Sequence, residues 1–206
     1  MRIKSVIISL ITLLIVCTVN AQPKKEDFLV KTRGGFFKTN ETVSAGSGGT
    51  TTTPKFNNGY GAELALTYLF TENVAAEIAG GYLATEFTST GINKIVNAIP
   101  ITATAQFYLP IYDKMIPYVG AGYSHSFFFN EPANVKISSA GAIVIQCGID
   151  LYFLETLFHS PSFHNVGINV DLKYRLSPHH NVTIGGEIFR NELSSLTIMG
   201  GVAVPF

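Results

Sequence analysis

Charge is scarce in this chain. Only 14% of its 206 residues are Asp, Glu, Lys or Arg, roughly half the share of a soluble domain. The 14 basic and 14 acidic residues cancel, which excludes the basic surface a nucleic-acid binder needs to neutralise phosphates. Cysteine is nearly absent, with two residues, so a disulfide framework is excluded. Long apolar runs are missing as well: past the N-terminal segment, no stretch reaches the about 18 consecutive apolar residues that mark a membrane-spanning helix. Yet 47% of residues are hydrophobic, 12% are aromatic, and the mean hydropathy is positive. That content excludes disorder, and the length suits one domain with a real core. What remains is a hydrophobic chain without hydrophobic helices.

The N-terminus accounts for part of the apolar content. Arg2 and Lys4 precede an apolar stretch, Val6 to Val16, and Val19-Asn20-Ala21 then offers small or modest residues to a signal peptidase. Residues 1–21 read as a secretory signal cut after about Ala21, and 22–206 as one exported domain. The apolar core is short for a retained membrane anchor, and the bulky Val16 before Cys17 fits a lipoprotein signal poorly. Without Arg2 and Lys4 the 14 basic residues become 12 against 14 acidic, a formal charge of −2. One cysteine remains, Cys147, between Ile145 and Ile149 in the apolar phase of its run and read as a small packing residue.

The apolar residues of the rest recur at period two. Tyr60, Ala62, Leu64, Leu66, Tyr68 and Phe70 alternate with Gly61, Glu63, Ala65, Thr67 and Leu69. After Thr71-Glu72-Asn73, the run Val74 to Tyr82 alternates in the same way, which predicts a tight hairpin. Six further runs follow this rule: Phe28 to Thr39, Ile99 to Leu109, Pro117 to Phe129, Ile143 to Phe153, Val166 to Arg175 and Leu193 to Phe206. Eight strands of about ten residues are therefore expected. Between them, long polar connections (Asn40 to Asn58, Glu86 to Ala98, Asn130 to Ala142, Leu176 to Glu192) alternate with shorter ones. That is the plan of an all-β, eight-stranded, antiparallel up-and-down transmembrane β-barrel with extended external loops. The connection Leu154 to Asn165 is longer than the plan prefers.

Alternation alone leaves the facing open, since a soluble periplasmic barrel that binds an apolar ligand inside is also period two. Such a barrel would turn Leu64, Leu66, Ile168 and Val170 inward. The polar phase favours the opposite. It holds Lys31, Arg33, Lys173 and Arg175 beside Glu63, Glu77, Asp150 and Asp171, four of each sign, among small Gly, Ser and Thr. These suit a narrow lumen filled with compensating charges, while aliphatic residues face lipid. Tyr60, Tyr68, Phe70, Tyr82, Phe107, Tyr118, Phe153 and Tyr174 near strand ends suit interfacial girdles.

The chain ends in Phe206, preceded at alternate positions by Val204, Val202, Gly200 and Ile198. This resembles the C-terminal assembly signal of bacterial outer-membrane barrels, with Ile198, Val202, Val204 and Phe206 carrying it. Pro117-Tyr118-Val119-Gly120-Ala121-Gly122-Tyr123, with Gln106-Phe107-Tyr108 before it and Gln146-Cys147-Gly148-Ile149-Asp150-Leu151 after it, is similar to the OmpW family and to the opacity-type and OmpX-like small barrels. The resemblance implies a location in the bacterial outer membrane, delivery by the barrel-assembly machinery, contact with outer-membrane lipid, and a hydrophobic channel for small apolar molecules. Eight lumen charges depart from such a channel. Desolvated charges persist only when paired, which favours a plugged interior with a narrow route at most. A structural or surface-interaction role, with small solutes or host and surface ligands meeting the long loops, stands beside small-molecule passage.

Candidate chemistry is sparse, and neither an enzyme, nor a cofactor, nor a metal site is expected. His125 lies between Ser124 and Ser126, but neighbours on a strand point to opposite faces, so it cannot activate either hydroxyl. His179-His180 lacks partners at ligand spacing and reads as a solvated loop pair. The sequons at Asn40 and Asn181 are incidental in a bacterial outer membrane. Gly34-Gly35, Gly80-Gly81 and Gly200-Gly201 open no helix, so they are not phosphate loops. They relieve crowding in a tightly coiled wall.

Overall fold

An alternating ribbon is stable only when its backbone groups are paired along both edges, and in lipid no water can substitute for a missing partner. The chain meets this requirement by closing on itself. The structure, a computed structural model, describes residues 27–44, 55–89, 92–109, 114–154, 158, 166–184 and 186–206, with the backbone alone at 40–44, 92, 178–180, 187 and 190–193. The expected signal segment 1–21 and nearly all of 154–165 lie outside the described residues. The strands are β1 (Phe28–Ser44), β2 (Lys55–Leu69), β3 (Val74–Ser89), β4 (Ile92–Tyr108), β5 (Met115–Phe129), β6 (Val135–Ile137), β7 (Ala140–Leu151), β8 (Gly167–Ile184) and β9 (Glu187–Pro205). Eight of them form an antiparallel meander, β1-β2-β3-β4-β5-β7-β8-β9, and β9 returns to pair with β1. The three residues of β6, too few to show a period, pair with the far end of β8.

The strands run well past the expected ten residues. β4 has 17, roughly 55 Å at about 3.3 Å per residue, against an apolar band about 25 Å tall. Most of Glu86 to Ala98 and of Leu176 to Glu192, expected as loops, is therefore strand, and only 90–91 and 185–186 separate those strand pairs. The physical reason is that alternation is imposed by lipid. Beyond the bilayer the outer face meets water and the inner face carries the apolar Phe56, Phe87, Val96 and Val182, so the apolar-out alternation is lost while the backbone ladder continues. Phe28 and Pro205 share one end of the barrel with the turn at 70–73 and the connection from β4 to β5. At the opposite end the hairpins β3–β4 and β8–β9 run on far past the apolar band, as extracellular extensions do, so the Phe28 and Pro205 end is periplasmic.

The facing follows the polar phase. Leu64 is 51% and Val170 44% exposed on the outer wall, whereas Lys31, Asp150, Asp171 and Lys173 are each 0% exposed. The reverse facing of a soluble ligand-binding barrel is thus not the one adopted. Cys147 is corrected too: it is exposed on the outer wall rather than packed inside. Inward glycines press against the neighbouring strand. A Cβ on Gly201 would collide with the Thr32 carbonyl oxygen, and one on Gly122 with that of Ala103, while outward Gly200 and Gly80 meet open space. Two apolar clusters cap the interior. Leu29, Leu69, Ala75, Ile116 and Tyr152 belong to the periplasmic one, and Phe56, Phe87, Val96, Val135, Ile137 and Val182 form the outer one.

Candidate functional site

Eight strands enclose a space little wider than the side chains that fill it, so what occupies the lumen decides what can cross. Arg33 on β1 is the hub. It is the cross-strand partner of Glu63 on β2 and donates to Glu63 Oε1 at 2.6 Å. It also grips Glu77 on β3 with two N–H groups, Nη1 to Oε1 at 2.9 Å and Nη2 to Oε2 at 2.6 Å. Its Nε donates to Asn169 at 2.7 Å. Lys173 on β8 reaches the same two carboxylates, Glu63 at 2.5 Å and Glu77 at 3.4 Å. Asp171 lies 4.0 Å from Arg33 and from Lys173 and accepts hydrogen bonds of 2.6 Å from Tyr118 and Gln146.

One level nearer the periplasm, Lys31 donates to Asp150 at 2.7 Å and to the Tyr108 hydroxyl at 3.0 Å. Its ammonium lies 4.3 Å from the centre of the Tyr118 ring, a cation–π contact strengthened by the dry surroundings. Asn169 bridges the two levels by donating to Asp150 at 2.6 Å. The eight charged residues singled out in the sequence therefore all lie inside the barrel, and seven of them carry charged hydrogen bonds within this network. Arg175, the outermost, stands apart. It donates to Thr197 at 2.6 Å and comes only within 3.8 Å of Glu63.

The network also recruits residues that the sequence did not single out as lumen groups: Gln106, Gln146, Asn169, Tyr108 and Thr67, with Thr197 on the separate Arg175. Each occupies the inward phase, and phase alone was the signal that could have found them. Tyr118, expected in an interfacial girdle, is 1% exposed and points inward. The outward aromatics Tyr60, Phe70, Tyr82, Phe107 and Phe153 are exposed on the wall, and Tyr68 and Tyr174 are half-buried.

At the C-terminal strand, Ile198 and Val202 are exposed on the outer face, and Val204 is buried although it shares their phase. Phe206, also exposed, donates its N–H to the Phe28 carbonyl at 2.8 Å and so extends the closing seam. His125 is half-buried against the Phe127 ring, while Ser124 points the other way and hydrogen-bonds Thr102 at 2.9 Å. The side chains of His179 and His180 and of the Asn40 sequon lie outside the described residues.

Above the network the lumen opens into a cavity of about 60 Å³, walled by Phe37, Phe56, Leu83, Ala98 and Phe128, with Arg175 and Ser177 among its polar lining. It adjoins a break in the β3–β4 ladder. The β3–β4 pairing runs to Gly80↔Ile101 and resumes in the same register at Leu83↔Ala98. In between sits Pro100, which has no N–H to give to β3.

A closed antiparallel wall, an apolar exterior band and a lumen of compensated charge define a small bacterial outer-membrane β-barrel. The match of residues 24–188 to the OmpW family model covers most of the sequence, and the chain belongs to that family. An outer-membrane protein of Rickettsia conorii, RC0105, is 27% identical over 165 residues, covering 72% of this chain and 66% of its own length. A Rickettsia prowazekii relative, RP075, is also 27% identical, covering 72% and 67%. The chain thus spans about two thirds of the curated relatives it matches. The crystal structure of OprG from Pseudomonas aeruginosa shares the fold with a TM-score of 0.69 at 15% identity, covering 89% of this chain and 97% of that one. AlkL, solved by solid-state NMR in lipid bilayers, does so with 0.66 at 17%, covering 92% and 94%.

Proposed function

We propose that this barrel is a passive route for small, weakly polar molecules, which pass from the outside into the outer-half cavity and leave sideways through the wall rather than through the base. The observation that carries this reading is the pairing of a sealed polar floor with an apolar cavity beside the Pro100 break. A solute with an apolar body can replace the contacts of the outer cluster as it passes, whereas an ion with no apolar part would lose its hydration among Phe56, Phe87 and Val96 with nothing to replace it. Among the described residues that line the cavity the polar groups are placed to bind and not to attack, and we read the barrel as a conduit. Its elongated hairpins support a surface-interaction role as a second reading.

Pro100→Thr tests the route, because it restores a ladder donor with a residue suited to strands. In intact cells carrying a periplasmic esterase, influx of 4-nitrophenyl butyrate should fall several-fold relative to the unaltered barrel at equal abundance. Influx equal to that of cells lacking the protein, already in the unaltered barrel, removes the conduit and leaves the surface role.

A further inference from the structure

The cavity is not uniformly apolar, and its polar atoms are unevenly satisfied. Thr39 and Thr85 also line it, but their hydroxyls donate to the backbone carbonyls of Phe56 and Asn57. Arg175 and Ser177 differ. Both are more than nine-tenths buried, both line the cavity, and Arg175 Nε and Ser177 Oγ have no hydrogen-bond partner. A buried guanidinium N–H left unpaired is costly, and such groups are ordinarily satisfied. Arg175 is also the one lumen cation, among the described residues, whose hydrogen bonds reach no carboxylate. Lys31 has Asp150, Arg33 has Glu63 and Glu77, and Lys173 has Glu63. Glu63 is shared by three cations, and Arg175, 3.8 Å from it, is the one of the three that lines the cavity.

We infer that this cavity takes a short apolar monocarboxylate, its carboxylate held by Arg175 and Ser177 and its chain lying among Phe37, Leu83 and Phe128. The inference rests on the outer-half cavity being a solute site and names the class of solute. A guanidinium edge with a hydroxyl beside it matches two carboxylate oxygens, and the aromatic and aliphatic walls exclude a multiply charged ligand. At roughly 10–15 Å³ for each water-sized group, the space holds roughly four to six such groups, the carboxylate included, and the end of a longer tail reaches into its open side.

Hexanoate and its uncharged isostere hexanamide separate the possibilities. Each is titrated into the full-length barrel in lipid nanodiscs, with empty nanodiscs as blank, and followed by NMR through the backbone amides of Arg175 and Ser177. Hexanoate should bind about tenfold more tightly than hexanamide, as expected for a charged hydrogen-bonded pair in a dry site. Arg175→Gln should abolish that preference, and Ala98→Leu, which fills the cavity, should weaken both ligands. Equal affinities in the unaltered barrel, or a preference that survives Arg175→Gln, overturns the carboxylate assignment while leaving the apolar cavity standing. Binding of neither ligand, or binding indifferent to Ala98→Leu, overturns the cavity reading with it. Should Arg175→Gln fail to give a folded barrel, Ser177→Ala takes its place: it removes an unpartnered hydroxyl and should weaken hexanoate more than hexanamide.

Discussion

At the residue scale, Arg33 shows how a charge survives at the centre of a membrane-embedded wall. Its guanidinium has three acceptor groups, Glu63, Glu77 and Asn169, so almost every N–H that lost water has gained a directed partner. Such a cluster contributes little net stability while intact, because desolvation offsets attraction, but breaking it strands the surviving charge. Glu77→Ala should therefore lower the unfolding free energy in lipid vesicles by about 3–5 kcal/mol, seen as a lower urea midpoint. The double variant Lys31→Met with Asp150→Leu removes a whole pair and should cost clearly less than Asp150→Leu alone, a comparison that a double-mutant cycle makes directly. An Asp150→Leu barrel as stable as the double variant would mean that Lys31 does not depend on its carboxylate.

At the element scale, each strand carries two scripts, one for lipid and one for the lumen. The glycine pairs separate them within two adjacent residues. Gly200 meets open space outside, while Gly201 lies against Thr32 and Arg33 of β1. Gly200→Ala should leave the heat-modifiable folded band unchanged, with stability within about 0.5 kcal/mol. Gly201→Ala should cost about 1–3 kcal/mol through overpacking, read as a lower denaturant midpoint. Equal effects of the two would contradict the facing of β9. The same two scripts explain what was legible beforehand. The strands across the bilayer could be read because lipid enforces their period. The outer halves of β3, β4, β8 and β9 could not, because their outer face has left lipid and their inner face turns apolar at Phe87, Val96 and Val182, so the phase of the membrane band is not carried on. β6 is held by its pairing with β8 and by Val135 and Ile137 in the outer cluster, and three residues are too few for a period to reveal it.

At the scale of the whole molecule, the lumen is closed by three layers in series: the periplasmic apolar cluster, the charge network and the outer apolar cluster. Purified barrel in planar bilayers should give no steady ionic conductance at ordinary salt, since an ion would have to displace packed, mutually bonded side chains. Large stable channels at that salt would show that the network opens, and would move the route from the wall to the base. Heat-modifiable mobility should accompany the folded form, because no strand edge is left to unravel until the β1–β9 seam gives way.

By itself the sequence determined the membrane-crossing strands, their direction of travel and the identity of the eight lumen charges. All three follow from a period of two and from the rule that charge avoids lipid. Tertiary closure decided the rest. Only the register of β1 against β2 and of β8 against β9 determines that Arg33 meets Glu63 while Arg175 meets Thr197. Only the curvature of the closed wall turns Tyr118 into the seat of Lys31. The unpaired face of Arg175, and the cavity it overlooks, arise from side chains on strands far apart in the chain, and no local pattern encodes such a meeting.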